Sequence, residues 1–120
     1  MAWKLDSSKP IYIQLIEVLE GRIVSGDYQP GQKIPSVREL AGEAGVNPNT
    51  MQKALVELES KGMIVTNRTS GRYVTENTKV LDSLKNSNAD EFVEEFIKGM
   101  KGLGFSEKDI REIVDSHLND

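Results

Sequence analysis

Residues 36 to 59, SVRELAGEAGVNPNTMQKALVELE, constrain the fold more than any other stretch. Ser36 stands where a helix N-cap belongs, and Glu39 three residues on can complete a capping box. Val37, Leu40, Ala41 and Ala44 then recur at helical spacing. Gly45 follows, where a left-handed residue ends a helix. Val46 can bury at the corner. Asn47 is a second N-cap, and Pro48 suits the first helical position because its missing N–H is not needed there. Met51, Ala54, Leu55 and Leu58 form the apolar face of a second helix. Two short capped helices joined by a tight glycine corner are a helix-turn-helix.

The second helix has an uneven polar face. Asn49, Thr50, Gln52 and Lys53 come first, and the acids Glu57 and Glu59 come last. Such a helix can approach phosphates with its N-terminus leading, because free amides and the helix dipole both favour an anion there. The bland alternative is a helical hairpin with a solvated polar face, and the neighbouring segments decide between the two.

On the N-terminal side, residues 1 to 9 read as an arm, with Trp3 as a packing residue over the first helix. Pro10 opens that helix, and Tyr12, Leu15, Ile16, Leu19 and Ile23 are its apolar face. Gly26 ends it, GDYQPGQK is a connector, and Ile34 before Pro35 is extended. On the C-terminal side, residues 63 to 66 and 71 to 75 read as two short strands around a polar turn. Strands after a helix-turn-helix make a wing, with Arg68 and Arg72 in or beside its tip. The expected architecture is mostly α with a small β wing, that is, a winged helix-turn-helix over residues 1–75 followed by a helical tail over 76–120.

The tail carries Leu81 and Leu84, then the stripe Phe92, Val93, Phe96, Ile97 and Met100. The polar run from Asn86 to Asp90 leaves one helix or two open, with Ser87 or Asn88 available as a new cap. Gly102 and Gly104 break the pattern. Ser106 and Asp109 form a cap pair, and Ile110, Ile113, Val114 and Leu118 line a last helix. So short a tail cannot cover its own apolar stripes, so a second copy of the chain is the expected cover. The expected interface comprises Leu81, Leu84, Phe92, Val93, Phe96, Ile97, Met100, Ile110, Ile113 and Val114.

Charge fits this division. The chain carries −4 in all, but residues 1–75 hold nine Lys/Arg against eight Asp/Glu, while 76–120 hold six against eleven. The acid is in the tail, and the first part keeps room for a locally basic surface. There is no run of about 18 apolar residues, so no membrane span is expected. The N-terminus shows no secretory signal pattern. With no cysteine and a single histidine, His117, the sequence offers no nucleophile pair and no metal-ligand cluster. An enzyme, a metal site and a cofactor are therefore not expected.

PIYIQL at 10–15, GDYQPGQKIPSVRELA at 26–41, VNPNTMQKAL at 46–55 and the wing from Arg68 to Val74 together resemble the GntR family of bacterial transcription regulators. The resemblance covers residues 9–75. The short helical tail with LGFSEKDI is similar to the YtrA-type subfamily. The resemblance implies a cytoplasmic bacterial repressor that binds an inverted-repeat DNA operator as a homodimer. Carried over by position, Arg38 is the operator-contacting arginine of the first helix, and Asn47, Asn49, Thr50 and Gln52 meet phosphates and bases. Gly71 is the wing glycine. Lys33, Ser36, Lys53, Arg68, Ser70 and Arg72 complete the expected DNA-binding set. Many members carry Gly-x-Gly in the wing, whereas Thr69 stands at the first glycine here. Most also carry a large ligand-binding domain, for which the tail has no room, so an effector is left open. Two other readings are a winged helix that binds a protein partner and an architectural DNA-binding protein without operator specificity. The polar and basic residues of the second helix speak against the first, and Gln52, able to both donate and accept, speaks against the second.

Overall fold

The structure, a computed structural model, describes residues 3–119. Residues 1 and 2 of the expected arm lie outside them. The element order is α1 (Ile11–Val24), α2 (Val37–Ala44), α3 (Pro48–Ser60), β1 (Ile64–Asn67), β2 (Gly71–Val74), α4 (Thr78–Gly102) and α5 (Glu107–Leu118). The chain divides into two compact units, Met1–Ser83 and Leu84–Asp120. The division falls eight residues beyond the end of the wing motif, because Leu81 in the first turns of α4 is buried and Val80 lies beside Gly62.

In the first unit the local signals act as the sequence implies. Ser36 Oγ accepts from Glu39 N at 3.1 Å, and Glu39 Oε1 accepts from Ser36 N at 3.2 Å, which closes the capping box. Gly45 ends α2 at φ +74°, a conformation nearly free of cost only for glycine. Asn47 Oδ1 caps α3 by accepting from Asn49 N at 2.8 Å. Pro10 is the N-cap of α1 and makes no side-chain cap bond.

The core lies where α3 crosses α1 and α2. Leu15, Leu19, Leu40, Met51, Leu55 and Leu58 are fully buried there. Each such side chain contributes about 1.5–3 kcal/mol by leaving water. Lys61 also pairs with Glu20 and ties the end of α3 to α1. The wing is an antiparallel pair with Ile64 opposite Val74 and Asn67 opposite Gly71. Residues 31–34 add a third edge. Ile34 N donates to Arg72 O at 3.0 Å and Val74 N to Gln32 O at 2.9 Å. β2 is thus the central strand.

A polar cluster ties the arm and the connector to α2. Glu43 Oε1 accepts from Trp3 Nε1 at 3.1 Å and lies 2.9 Å from Arg22 Nη1. The Arg22 guanidinium lies 4.8 Å from the centre of the Trp3 ring and also donates to the Tyr28 hydroxyl. Trp3 therefore packs against Arg22 of α1, as expected of an arm lying over the first helix.

In the second unit α4 ends through Gly104, at φ +94°, where Phe105 N donates to Met100 O at 3.2 Å. Ser106 and Asp109 form a full capping box for α5. The polar run from Asn86 to Asp90 does not interrupt α4, which is one helix of 25 residues. Neither Ser87 nor Asn88 caps a new one.

The Trp3 indole, and after it Arg22, hold the Glu43 carboxyl below its ordinary value of 4.5. Folding therefore favours the ionised form, and this stabilisation is complete above the unfolded value and lost as pH falls through the folded one. The two side chains are 25% and 32% exposed, so Glu43→Gln should cost only about 1 kcal/mol at pH 7. Denaturant titrations should show that difference shrinking below pH 4.5. A difference that stayed constant to pH 3 would mean that the charge of Glu43 is not what matters.

Candidate nucleic-acid interface

The exposed side of α3 carries the polar residues that the core excludes. Met51, Ala54, Leu55 and Leu58 are buried, and Asn49, Gln52 and Val56 face outward on another stripe. The buried stripe therefore fixes the rotation of the helix. Two expected site residues also serve the helix itself. Ser36 Oγ and Asn47 Oδ1 are taken by cap bonds, which leaves the hydroxyl proton and the amide nitrogen as their free groups. Arg38 and Asn49 are exposed, and Thr50 is half-buried. Lys53 turns toward α1, where its Nζ lies 4.1 Å from the centre of the Tyr12 ring. That cation–π contact holds its charge on the α1 side of the helix.

The wing tip is built from its own side chains. Asn67 Oδ1 accepts from Thr69 N at 3.0 Å and from Thr69 Oγ1 at 2.9 Å. Thr69 thus closes an Asx-type turn. Arg68 is exposed at this tip, and Ser70 is half-buried. Gly71 has φ +116°, and a Cβ there would lie 3.1 Å from Lys33 Cε. The aliphatic stem of Lys33 therefore crosses the wing over Gly71, and its backbone pairs with Tyr73.

Arg72 joins the wing to α3. In β2 alternate residues share a face, so Arg72 lies on the face of buried Val74, toward the core. From there its Nη2 donates to Gln52 Oε1 at 3.2 Å. Lys33, Gln52, Arg68, Gly71 and Arg72 thus belong to the wing or touch it. Arg38 stands apart on α2, and Lys53 on the α1 side. The Arg72–Gln52 bond is not among the sequence expectations. The alternation from Val74 carried the signal, since it alone turns Arg72 inward.

Three helices with a helix-turn-helix corner, a paired wing and an outward polar face on α3 define a winged-helix DNA-binding protein. The sequence model of the bacterial regulatory proteins of the gntR family matches residues 11–74, and the chain belongs to that family. It is 49% identical over 73 residues to the transcriptional repressor YtrA of Bacillus subtilis, covering 61% of this chain and 56% of that protein. A GntR family transcriptional regulator from Listeria monocytogenes superposes with a TM-score of 0.88 at 41% identity, covering 93% of this chain and 98% of that one. The DNA-binding domain of AraR, solved in complex with operator ORX1, superposes with a TM-score of 0.57 at 29% identity, over 62% of this chain and 95% of that one. The protein is a DNA-binding transcription regulator of this family.

In the second unit, Phe92, Val93 and Phe96 are exposed, and Leu84, Ile97, Met100, Ile113 and Val114 are half-buried. Two residues of the expected interface differ. Leu81 and Ile110 are only 8% and 7% exposed. Their apolar surface is already covered within one chain, so neither has much to offer a second. Leu103, at 75%, and Leu118, at 77%, are exposed and were not expected there. Glycine flanks Leu103 on both sides, and Leu118, though in the apolar line of the last helix, was not among the expected interface residues. Among the described residues His117 bonds only within its own helix. Its Nδ1 lies 2.9 Å from Ile113 O, the carbonyl one turn back. Among the described residues no helix is long and apolar enough to cross a membrane, and no cluster of His, Cys, Asp or Glu could hold a metal ion.

Gly71→Ala should destabilise the wing by about 1–3 kcal/mol, since alanine is strained at this φ and its methyl must displace Lys33. Amide hydrogen exchange should show faster exchange at Ile34, Arg72 and Val74, with α1 and α2 unchanged. Equal protection in both proteins would show that the positive φ carries no cost.

Proposed function

We propose that the protein is a repressor that binds an inverted-repeat operator as a homodimer. The observation that carries this reading is the outward stripe of α3 joined to the cationic wing through Gln52 and Arg72. In this reading the N-terminal turns of α3 enter the major groove, with Gln52 at a base and Asn47, Asn49 and Thr50 at phosphates or bases. Arg38, Ser36 and Lys33 meet the backbone, and Arg68, Ser70 and Gly71 follow the adjacent strand or minor groove. Lys53 takes a lesser part because Tyr12 holds its ammonium. Phe92, Val93, Phe96 and Leu103 form the centre of the contact with a second copy. Two half-sites then bind as one unit, which raises affinity without any new base contact.

Symmetric recognition helices should protect two related half-sites whose centres are about 34–36 Å apart, or a multiple of that. Footprinting that gave a single unsymmetrical half-site at saturation would defeat the dimer model. Phe96→Glu should convert the protein to a monomer in sedimentation and cost at least about 100-fold in operator affinity. Continued dimerisation of this variant would remove Phe96 from the interface.

Gln52→Ala should cost about 1–3 kcal/mol on the true site and relax preference at one base pair. Its salt slope should hardly change, since no charge is lost. Arg38→Ala should weaken all sequences more evenly and reduce the salt slope by about one if its contact is to phosphate. Isotherms at several salt concentrations separate the two. An unchanged ranking of single-base variants for Gln52→Ala would show that this residue reads no base.

A further inference from the structure

A glutamine on a recognition helix has one donor group and one acceptor group. Left free, its amide matches adenine, whose major-groove edge shows the N7 acceptor and the N6 amino donor. Gln52 is not free. Arg72 Nη2 donates to its Oε1 at 3.2 Å. Arginine has no acceptor, so the amide atom facing it must be the oxygen, and the orientation of the amide follows.

This contact is more than a chance meeting of surface side chains. Arg72 is half-buried, and its Nε is buried with no acceptor among the described residues. Its strand is held on both sides, by β1 and by residues 31–34. The guanidinium is therefore carried to Gln52 from a fixed base. If Gln52 swung its oxygen toward a DNA donor, Nη2 would be left beside an Nε that already lacks a partner. Loss of a second partner at one half-buried guanidinium opposes that rotation.

We propose that Arg72 is a positioning residue that sets the base preference of Gln52. It engages one lone pair of the amide oxygen and turns the amide nitrogen away from itself, so that Gln52 leads with its two N–H donors. Guanine offers two acceptors in the major groove, N7 and O6, and accepts such a face. Adenine offers that donor group N7 alone, and its N6 amino group meets an amide oxygen already engaged by Arg72. Gln52 then favours guanine over adenine at the base pair it meets, the reverse of what an unattached glutamine prefers. The proposal rests on the reading of Gln52 as a base-contacting residue.

The test uses the full chain and a library of random duplex DNA. Sites are selected with the wild type, and isotherms are then measured on all single-base variants of the selected site. The proteins compared are wild type, R72M, R72K, Q52A and the double variant. The wild type should prefer guanine to adenine by about tenfold at one position in each half-site, the position that Q52A flattens. R72M should shift that ratio toward adenine by about tenfold, and R72K, which keeps one donor, should lie between. In the Q52A background R72M should change nothing further at that position, because Arg72 acts there only through Gln52. A loss of affinity in R72M that is equal for all four bases, while Q52A still flattens the position, would overturn the positioning role and leave Gln52 as a reader. If Q52A flattens no position, Gln52 reads no base and the proposal falls with that reading. Should R72M fail to fold, as thermal unfolding would show, the wild-type ratio and R72K decide. A wild-type preference for adenine at the flattened position overturns the proposal by itself.

Discussion

The packing of α3 against α1 and α2 is the interaction on which the rest of the first unit depends. Met51, Ala54, Leu55 and Leu58 leave the helix one rotational setting. Turning it by one residue, about 100°, would expose this stripe and bury Gln52 or Lys53. The hydrophobic effect is not directional by itself, but a stripe of this width makes it so. The same burial that stabilises the domain thereby decides which polar side chains can reach a ligand. The wing depends on it in turn. Met63 and Ile64, just beyond α3, are buried and anchor the start of β1.

Local bonds then set where each element starts and stops. The two capping boxes, at Ser36 with Glu39 and at Ser106 with Asp109, satisfy amides that a helix start would otherwise leave open. The Asn47 cap has a second consequence. By spending its side-chain oxygen on Asn49 N, it uses one of the amides at the tip of α3 and leaves its own amide nitrogen to face outward. Thr50 N and Met51 N are taken by Asn47 O, so the first amides of α3 are satisfied within the chain and its start meets a ligand with side-chain groups. The acids Glu57 and Glu59 lie two turns or more away, which keeps this end free of repulsion toward phosphate.

The second unit follows a different rule. Its helices are well capped, yet its largest apolar side chains are not covered. Phe92 is 74% exposed in the single chain. A protein core of this size would ordinarily place such rings inside, since each represents well over a kcal/mol of burial. Residues 76–120 hold eleven Asp/Glu against six Lys/Arg, so this open apolar stripe lies among acids. The two units are therefore stabilised differently, the first by its own interior and the second in large part by its local helical bonds.

The sequence by itself determined the elements, because their causes are local. Caps lie three residues apart, helix faces repeat every three or four, and Gly45 and Gly104 mark chain reversals by conformational freedom alone. The winged-helix order and the outward placement of Asn49 and Gln52 follow from those periods. Only the tertiary structure decided what depends on residues distant in the chain. It showed residues 31–34 bonded along the free edge of β2 through a single bridge at Lys33 and Tyr73, because such bonds leave no mark in the composition of a connector. It joined Arg72 to Gln52 across 20 positions, set the ammonium of Lys53 over Tyr12, and buried Leu81 and Ile110 inside one chain. It also carried α4 unbroken through a polar run that reads equally well as a turn, since fully solvated helix positions impose no apolar period. In every case but that of α4, the deciding force acts between segments that only folding brings together.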